Sequence, residues 1–187
     1  MNSSLKHLIS VTNKVLPRSV QEINHVLSRP YWEGVNVGEA FERIFSGFAN
    51  EAGYDNDFDG KRGSVVDIRF HNPSYLVQVK TTHPLTKKPK GSFQFCRSSG
   101  KYLDEAVLDV RGKFFRVFNR SSAKEFYLLH HDFKARKTII YHLASKKERV
   151  KFHGEFLSGN NGYLSKDYLV IPKSDLVKVW EKEWSSK

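Results

Sequence analysis

Val65-Val66-Asp67-Ile68-Arg69-Phe70, then His71-Asn72-Pro73-Ser74, then Tyr75-Leu76-Val77-Gln78-Val79-Lys80: the reading of residues 65–80 decides the fold. Two runs rich in β-branched and aromatic residues flank a short segment with turn chemistry, so a hairpin of two strands is expected here. Side chains two apart on a strand leave the same face, so Gln78 and Lys80 point one way while Val77 and Val79 pack into a core on the other. Asp67 sits on the adjoining strand, and the hairpin brings its carboxylate beside the Gln78 side-chain carbonyl. Two hard oxygen ligands then face one small volume, as Mg²⁺ favours, with the Lys80 ammonium next to them. Such a trio suits phosphodiester hydrolysis, in which a metal polarises the phosphate and acidifies bound water while a cation positions the nucleophile and the developing charge.

Working outward, Phe41, Ile44, Phe45, Phe48, Ala49 and Ala52 form the one-sided stripe of an amphipathic helix over Gly38–Ala52, stopped by Gly53. Upstream, Leu5, Leu8, Ile9 and Val15, then Val20, Ile23 and Val26, predict two short helices between Ser3 and Leu27, divided by Pro17. Arg29 to Gly34 reads as a connector. Downstream, strands are expected at Phe114–Phe118, Phe126–His130, Thr138–Leu143 and Tyr168–Ile171, and a final helix from Asp175 to Trp184 capped by Ser174. This order predicts a mixed central β-sheet flanked by helices, an α/β (α+β) architecture. One domain over 1–187 is expected: N-terminal helices in 1–35, the core helix and hairpin in 36–82, and the remaining sheet, basic loops and C-terminal helix in 83–187.

The chain has 187 residues and a net charge of +11, which attracts polyanions and points to nucleic acid or an anionic membrane. No apolar run approaches the roughly 20 residues needed to span a bilayer, and the N-terminus lacks the apolar stretch of a secretory signal. With Cys96 its one cysteine, the chain can form neither an internal disulfide nor a thiolate cage, so a reducing, cytoplasmic setting is expected.

Asp67, ten intervening residues and Gln78-Val79-Lys80 resemble the D-x(n)-(E/Q)-x-K signature of the PD-(D/E)XK restriction endonuclease-like superfamily. Gly38-Glu39-Ala40-Phe41-Glu42-Arg43, continuing to Gly53-Tyr54, resembles the helix of archaeal Holliday junction resolvases. The resemblance covers about a quarter of the chain, Gly38 to Thr82. It implies a restriction endonuclease-like core and a magnesium site, with manganese as a substitute, formed by Asp67, Gln78 and the helix glutamate Glu42. Lys80 would stand beside the attacking water. Val66 replaces the proline of the superfamily's name, and Gln78 its more usual acidic residue. A neutral ligand removes one compensating charge and should weaken metal binding.

Between His83 and Lys101 the cations Lys87, Lys88, Lys90, Arg97 and Lys101 occur with no acidic residue, a basic loop suited to gripping a nucleic-acid backbone. A second run, Lys134-Arg136-Lys137 and Lys146 to Lys151, would widen that surface. Asp55-Asn56-Asp57-Phe58-Asp59-Gly60 copies the first half of an EF-hand loop, but Val66 stands where the bidentate Glu belongs, so a polar loop is expected instead. His130 and His131, adjacent on a strand, face opposite sides and suit core or surface positions better than one shared ion. No Walker loop, dinucleotide fingerprint or G-x-S-x-G elbow is present, and no small-molecule cofactor is expected.

The sequence thus points to a metal-dependent endonuclease cutting duplex DNA in the manner of a restriction enzyme. A junction resolvase and a catalytically inactive nucleic-acid-binding module, which Gln78 permits, are the alternatives. RNA binding has only exposed aromatics in its favour. A homodimer is expected, because two strands need two active sites.

Overall fold

A computed structural model describes residues 1–29, 37–58, 67–82, 92–97, 125–142, 164–165, 168–172 and 176–184. Helix α1 spans Ser3–Leu27 and begins on Asn2, whose Oδ1 accepts the Leu5 N–H at 2.8 Å. The two helices expected here are one. Leu5, Leu8, Val11, Val15, Ser19 and Ile23 recur every three or four residues and all bury, so one continuous buried stripe, apolar but for Ser19, runs past Pro17. A proline inside a helix costs about 3 kcal/mol, whereas each buried aliphatic side chain contributes about 1.5–3 kcal/mol. Pro17 itself is exposed, on the outer side.

Helix α2, Val37–Glu51, buries Phe41, Phe45 and Ala49. It ends in a Schellman motif: the Tyr54 N–H donates to Ala49 O at 2.9 Å, the Gly53 N–H to Asn50 O at 3.0 Å, and Gly53 takes φ +85°. Gly53→Ala should therefore lower stability by about 1 kcal/mol, although an added methyl meets no atom within 4 Å. Urea denaturation measures this, and an unchanged midpoint would discard the left-handed cap.

The strands are β1 Asn56–Phe58, β2 Ile68–Phe70, β3 Tyr75–Thr82, β4 Ser92–Arg97, β5 Phe126–Asp132, β6 Lys137–His142, β7 Leu164–Ser165, β8 Tyr168–Pro172 and β9 Val177–Glu183. Six of them form one sheet in the order β1-β2-β3-β5-β6-β9. β3 and β5 are parallel and the other pairs antiparallel, which makes the sheet mixed, as expected. A three-stranded sheet, β4-β8-β7, holds the rest.

Val77, Val79, Tyr127, Leu129 and Ile140 meet the buried residues of both helices in one core. The alternate residues Leu76, Gln78, Phe126, Leu128 and His130 are buried too. Covered faces on both sides explain why β3 reads as a near-continuous apolar run.

Three further expectations need correction. The segment from Asp175 to Trp184 is no helix, since residues 177–183 form edge strand β9. Leu176, Val177, Val179 and Trp180 fit either period, and pairing decides: Trp180 lies opposite Ile140, and the Trp184 Nε1–H donates to Thr138 Oγ1 at 2.8 Å. The basic loop after β3 contains a strand, β4, that carries Arg97 and pairs with β8. The polar loop expected after Gly53 contains strand β1, where Asn56 is buried, donating its Nδ2–H to Ser46 O and Tyr54 O and accepting from Ser46 Oγ. Extended backbone there does not wrap an ion. The expected strand at Phe114–Phe118 and the connector beyond Arg29 lie outside the described residues. No helix among the described residues is long and apolar enough to cross a membrane.

Candidate active site

The hairpin that carries the site pairs Ile68 with Val77 and Phe70 with Tyr75. Asp67 precedes β2 by one residue, and its N–H still donates to Val77 O at 3.2 Å. Its side chain continues the ladder where the backbone of β2 stops: Asp67 Oδ2 accepts the Val79 N–H at 2.7 Å and the Gln78 Nε2–H at 2.6 Å. Both side chains are buried, Asp67 at 7% exposure and Gln78 at 3%.

The hairpin therefore brings Asp67 and Gln78 together, with the amide turned opposite to expectation. A carboxylate repels a carbonyl oxygen and attracts an N–H, so Nε2 faces Asp67. Gln78 Oε1 is left buried with no hydrogen-bond partner among the described residues. A buried acceptor without a donor costs about 1–3 kcal/mol. A hard cation is one way to satisfy it.

Glu42 joins them from α2. Its neighbours Phe41 and Phe45 bury, and this roots the helix over the sheet. Burial first, then the Asp67 carboxylate and, least, Glu39 raise the Glu42 carboxyl, the Lys80 ammonium opposes them, and together they leave it pushed up to about 8. Glu42 thus lies within electrostatic reach of Asp67 and Lys80, and Lys80 is half-buried on the same face of β3 as Gln78. All four residues expected at the site gather at one place. Among the described residues no three His, Cys, Asp or Glu side chains form a metal-binding group. The donor set available here is two carboxylates and one amide oxygen, a hard-oxygen combination that fits Mg²⁺ or Mn²⁺.

The raised Glu42 value has a consequence for stability. Between the ordinary glutamate value of 4.5 and about 8 the folded chain holds a proton that the unfolded chain has lost. Stability from this group therefore falls as pH rises through that window and levels off above it. In EDTA, Glu42→Gln should melt with the wild type near pH 5 and several degrees above it near pH 8.5. Identical melting curves at both pH values would reject a buried carboxyl at this position.

The placement of two residues beside Lys80 escapes a reading of the sequence. His130 lies in register with Lys80 across the parallel pair, and its Nε2 hydrogen-bonds Thr82 Oγ1 at 2.9 Å. No local spacing announces them, because β5 reaches β3 only through the fold. His131 points to the opposite side, as alternation requires, with its ring 4.5 Å from that of Phe41. Burial holds its imidazole well below the usual range. Lys87, Lys88, Lys90 and Lys101 lie outside the described residues, and Arg97 is placed only by its position on β4.

The mixed sheet with α2 against it and the site on its central hairpin is a restriction endonuclease-like fold. The particular neighbour is a solved structure described as a restriction endonuclease in complex with substrate DNA. The likeness covers 97% of this chain and 88% of that one, with a TM-score of 0.52 and 14% sequence identity. No family model matches the chain, and no curated protein matches its sequence.

Proposed function

We propose that the chain is a divalent-metal-dependent DNA endonuclease of the PD-(D/E)XK kind that cuts duplex DNA in the manner of a restriction enzyme. The observation that carries this reading is the gathering of Glu42, Asp67, Gln78 and Lys80 on a restriction endonuclease-like fold. The neighbour's complex with substrate DNA and the +11 charge of this chain support DNA as the substrate.

In this reading Asp67, Glu42 and the Gln78 carbonyl hold Mg²⁺, and Mn²⁺ can substitute. When bound, the ion polarises the scissile phosphate and lowers the pKa of water. Gln78 has to rotate its amide so that oxygen faces the ion. Lys80 orients the attacking water and offsets the charge that develops on the phosphate. Cutting two strands requires two such sites, so a homodimer is the working assembly proposed.

The Nε2–H bond from Gln78 to Asp67 favours a second reading, a binding module in which the amide never turns. Incubating supercoiled plasmid and a four-way DNA junction with the protein in Mg²⁺ or EDTA separates the possibilities. Discrete plasmid fragments that disappear in EDTA and with Lys80→Ala are the expected result. Cutting confined to the junction would mark a resolvase, and binding without cutting would leave the module.

A further inference from the structure

We propose that the turn joining β5 to β6, residues 133–136, is a rigid anchor for the phosphate backbone of DNA beside the candidate active site. The inference rests on the reading that the chain acts on DNA. Because β3 and β5 run parallel, the turn emerges at the end of the sheet where β3 finishes, two residues after Lys80. The Phe133 N–H donates to Thr82 O at 2.8 Å, joining the turn to the strand that carries the site. His130, in register with Lys80, is three residues from Phe133. At about 3.3 Å per residue the turn is about 10 Å from Lys80 along the strands, roughly three base-pair steps of rise along a duplex axis.

The turn is pinned along its length. The Ala135 N–H donates to Asp132 Oδ1 at 2.9 Å, and the Trp184 N–H donates to Arg136 O at 2.8 Å. Two cations project from this frame: Lys134 and Arg136 are both exposed, and neither side chain has a hydrogen bond or ion pair among the described residues. Of the acidic groups nearby, Glu183 lies in register with Lys137 at the base of the turn, and the other two are engaged. Asp132 caps the turn, and Glu181 pairs with Lys137 at 3.7 Å and with Lys178 at 3.1 Å.

Arg136 also takes φ +54°, the left-handed region that glycine occupies freely. An L side chain there costs about 1 kcal/mol or more. A strained arginine at a solvent-facing turn suggests that its guanidinium contributes something a glycine would lack. A planar donor fork held on a stiff turn matches a phosphate bidentately and loses little entropy on binding.

The test measures the affinity of a labelled DNA duplex in EDTA across a range of salt concentrations, so cleavage plays no part. It compares the wild type, K134A/R136G, and K6A/K14A, which removes equal charge from exposed positions on α1. Each lost phosphate contact lowers the slope of log affinity against log salt by about 0.9, so K134A/R136G should lose about 1.8 while K6A/K14A keeps the wild-type slope. Arg136→Gly alone should melt about 2–4 °C higher as its strain is relieved, so weakened binding cannot be ascribed to unfolding. An unchanged slope in K134A/R136G, an equal loss in K6A/K14A, or a wild type that binds no duplex would each overturn the anchor. A protein that binds as expected yet never cuts DNA would sink the nuclease reading and leave the anchor standing. Cutting with an unchanged slope would do the reverse.

Discussion

Asp67→Asn should lower Mg²⁺-dependent DNA cleavage by about three orders of magnitude or more, roughly 4 kcal/mol of transition-state stabilisation, while leaving the fold and DNA binding in place. The two consequences separate because Asp67 has two tasks. Its Oδ2 accepts the buried Val79 N–H, and an asparagine oxygen can do the same. The same oxygen still accepts the Gln78 Nε2–H, so the hydrogen-bond pattern survives. What disappears is the negative charge, and with it the affinity of the site for a dication. Asp67→Ala should lose cleavage to the same extent and also destabilise the fold by about 1–3 kcal/mol, because the Val79 N–H is left buried without an acceptor. Single-turnover cleavage and urea denaturation on both variants measure these effects. An Asn variant that cuts DNA at the wild-type rate would remove Asp67 from the metal set.

Phe41→Ala should have the largest effect on stability, about 3–5 kcal/mol. Phe41 is fully buried, with its ring centroid 4.5 Å from His131, 5.3 Å from Phe133 and 6.3 Å from Phe45. Truncation opens a cavity between helix and sheet that the pinned β5–β6 hairpin has little freedom to fill. Glu42 is the next residue, so the surviving folded fraction should also cleave poorly. Phe41→Leu, which retains most of the volume, should cost clearly less. The denaturation midpoints decide. A loss below about 1 kcal/mol in the alanine variant would mean that α2 is not seated on the sheet through this ring.

What the sequence disclosed follows the range of the interactions involved. The β2–β3 hairpin and α2 rest on periodicity and turn chemistry within about fifteen residues; α2 and β3 form within one or two residues of the expected bounds, while β2 begins at Ile68, with the expected Val65 and Val66 outside the described residues. The pairing of Asp67 with Gln78 follows from that hairpin. The orientation of the Gln78 amide does not, because it depends on which atom a buried carboxylate attracts. Glu42 came from resemblance alone, since nothing in the helix pattern separates it from Glu39 or Glu51. Pro17 suggested a break that packing overrode. β9 was misread because its apolar residues satisfy two periods, and only β6 chooses between them. His130 and Thr82 become neighbours through a parallel pairing that no local pattern encodes.

That parallel pair also bears on how the chain folds. Leu76 pairs with Phe126, about fifty residues further along the chain, whereas the β2–β3 and β5–β6 hairpins close through short turns. Closing so long a loop costs entropy before any contact offsets it, and non-local pairing of this kind slows folding. The two hairpins should therefore appear early, and their docking should limit the rate. During synthesis, Asp67, Gln78 and Lys80 leave the ribosome on a hairpin whose inner edge has no neighbour until residue 132 has followed. A nascent chain stalled before that point carries the chemistry of the site with an open strand edge. It is the species a chaperone would have to shield.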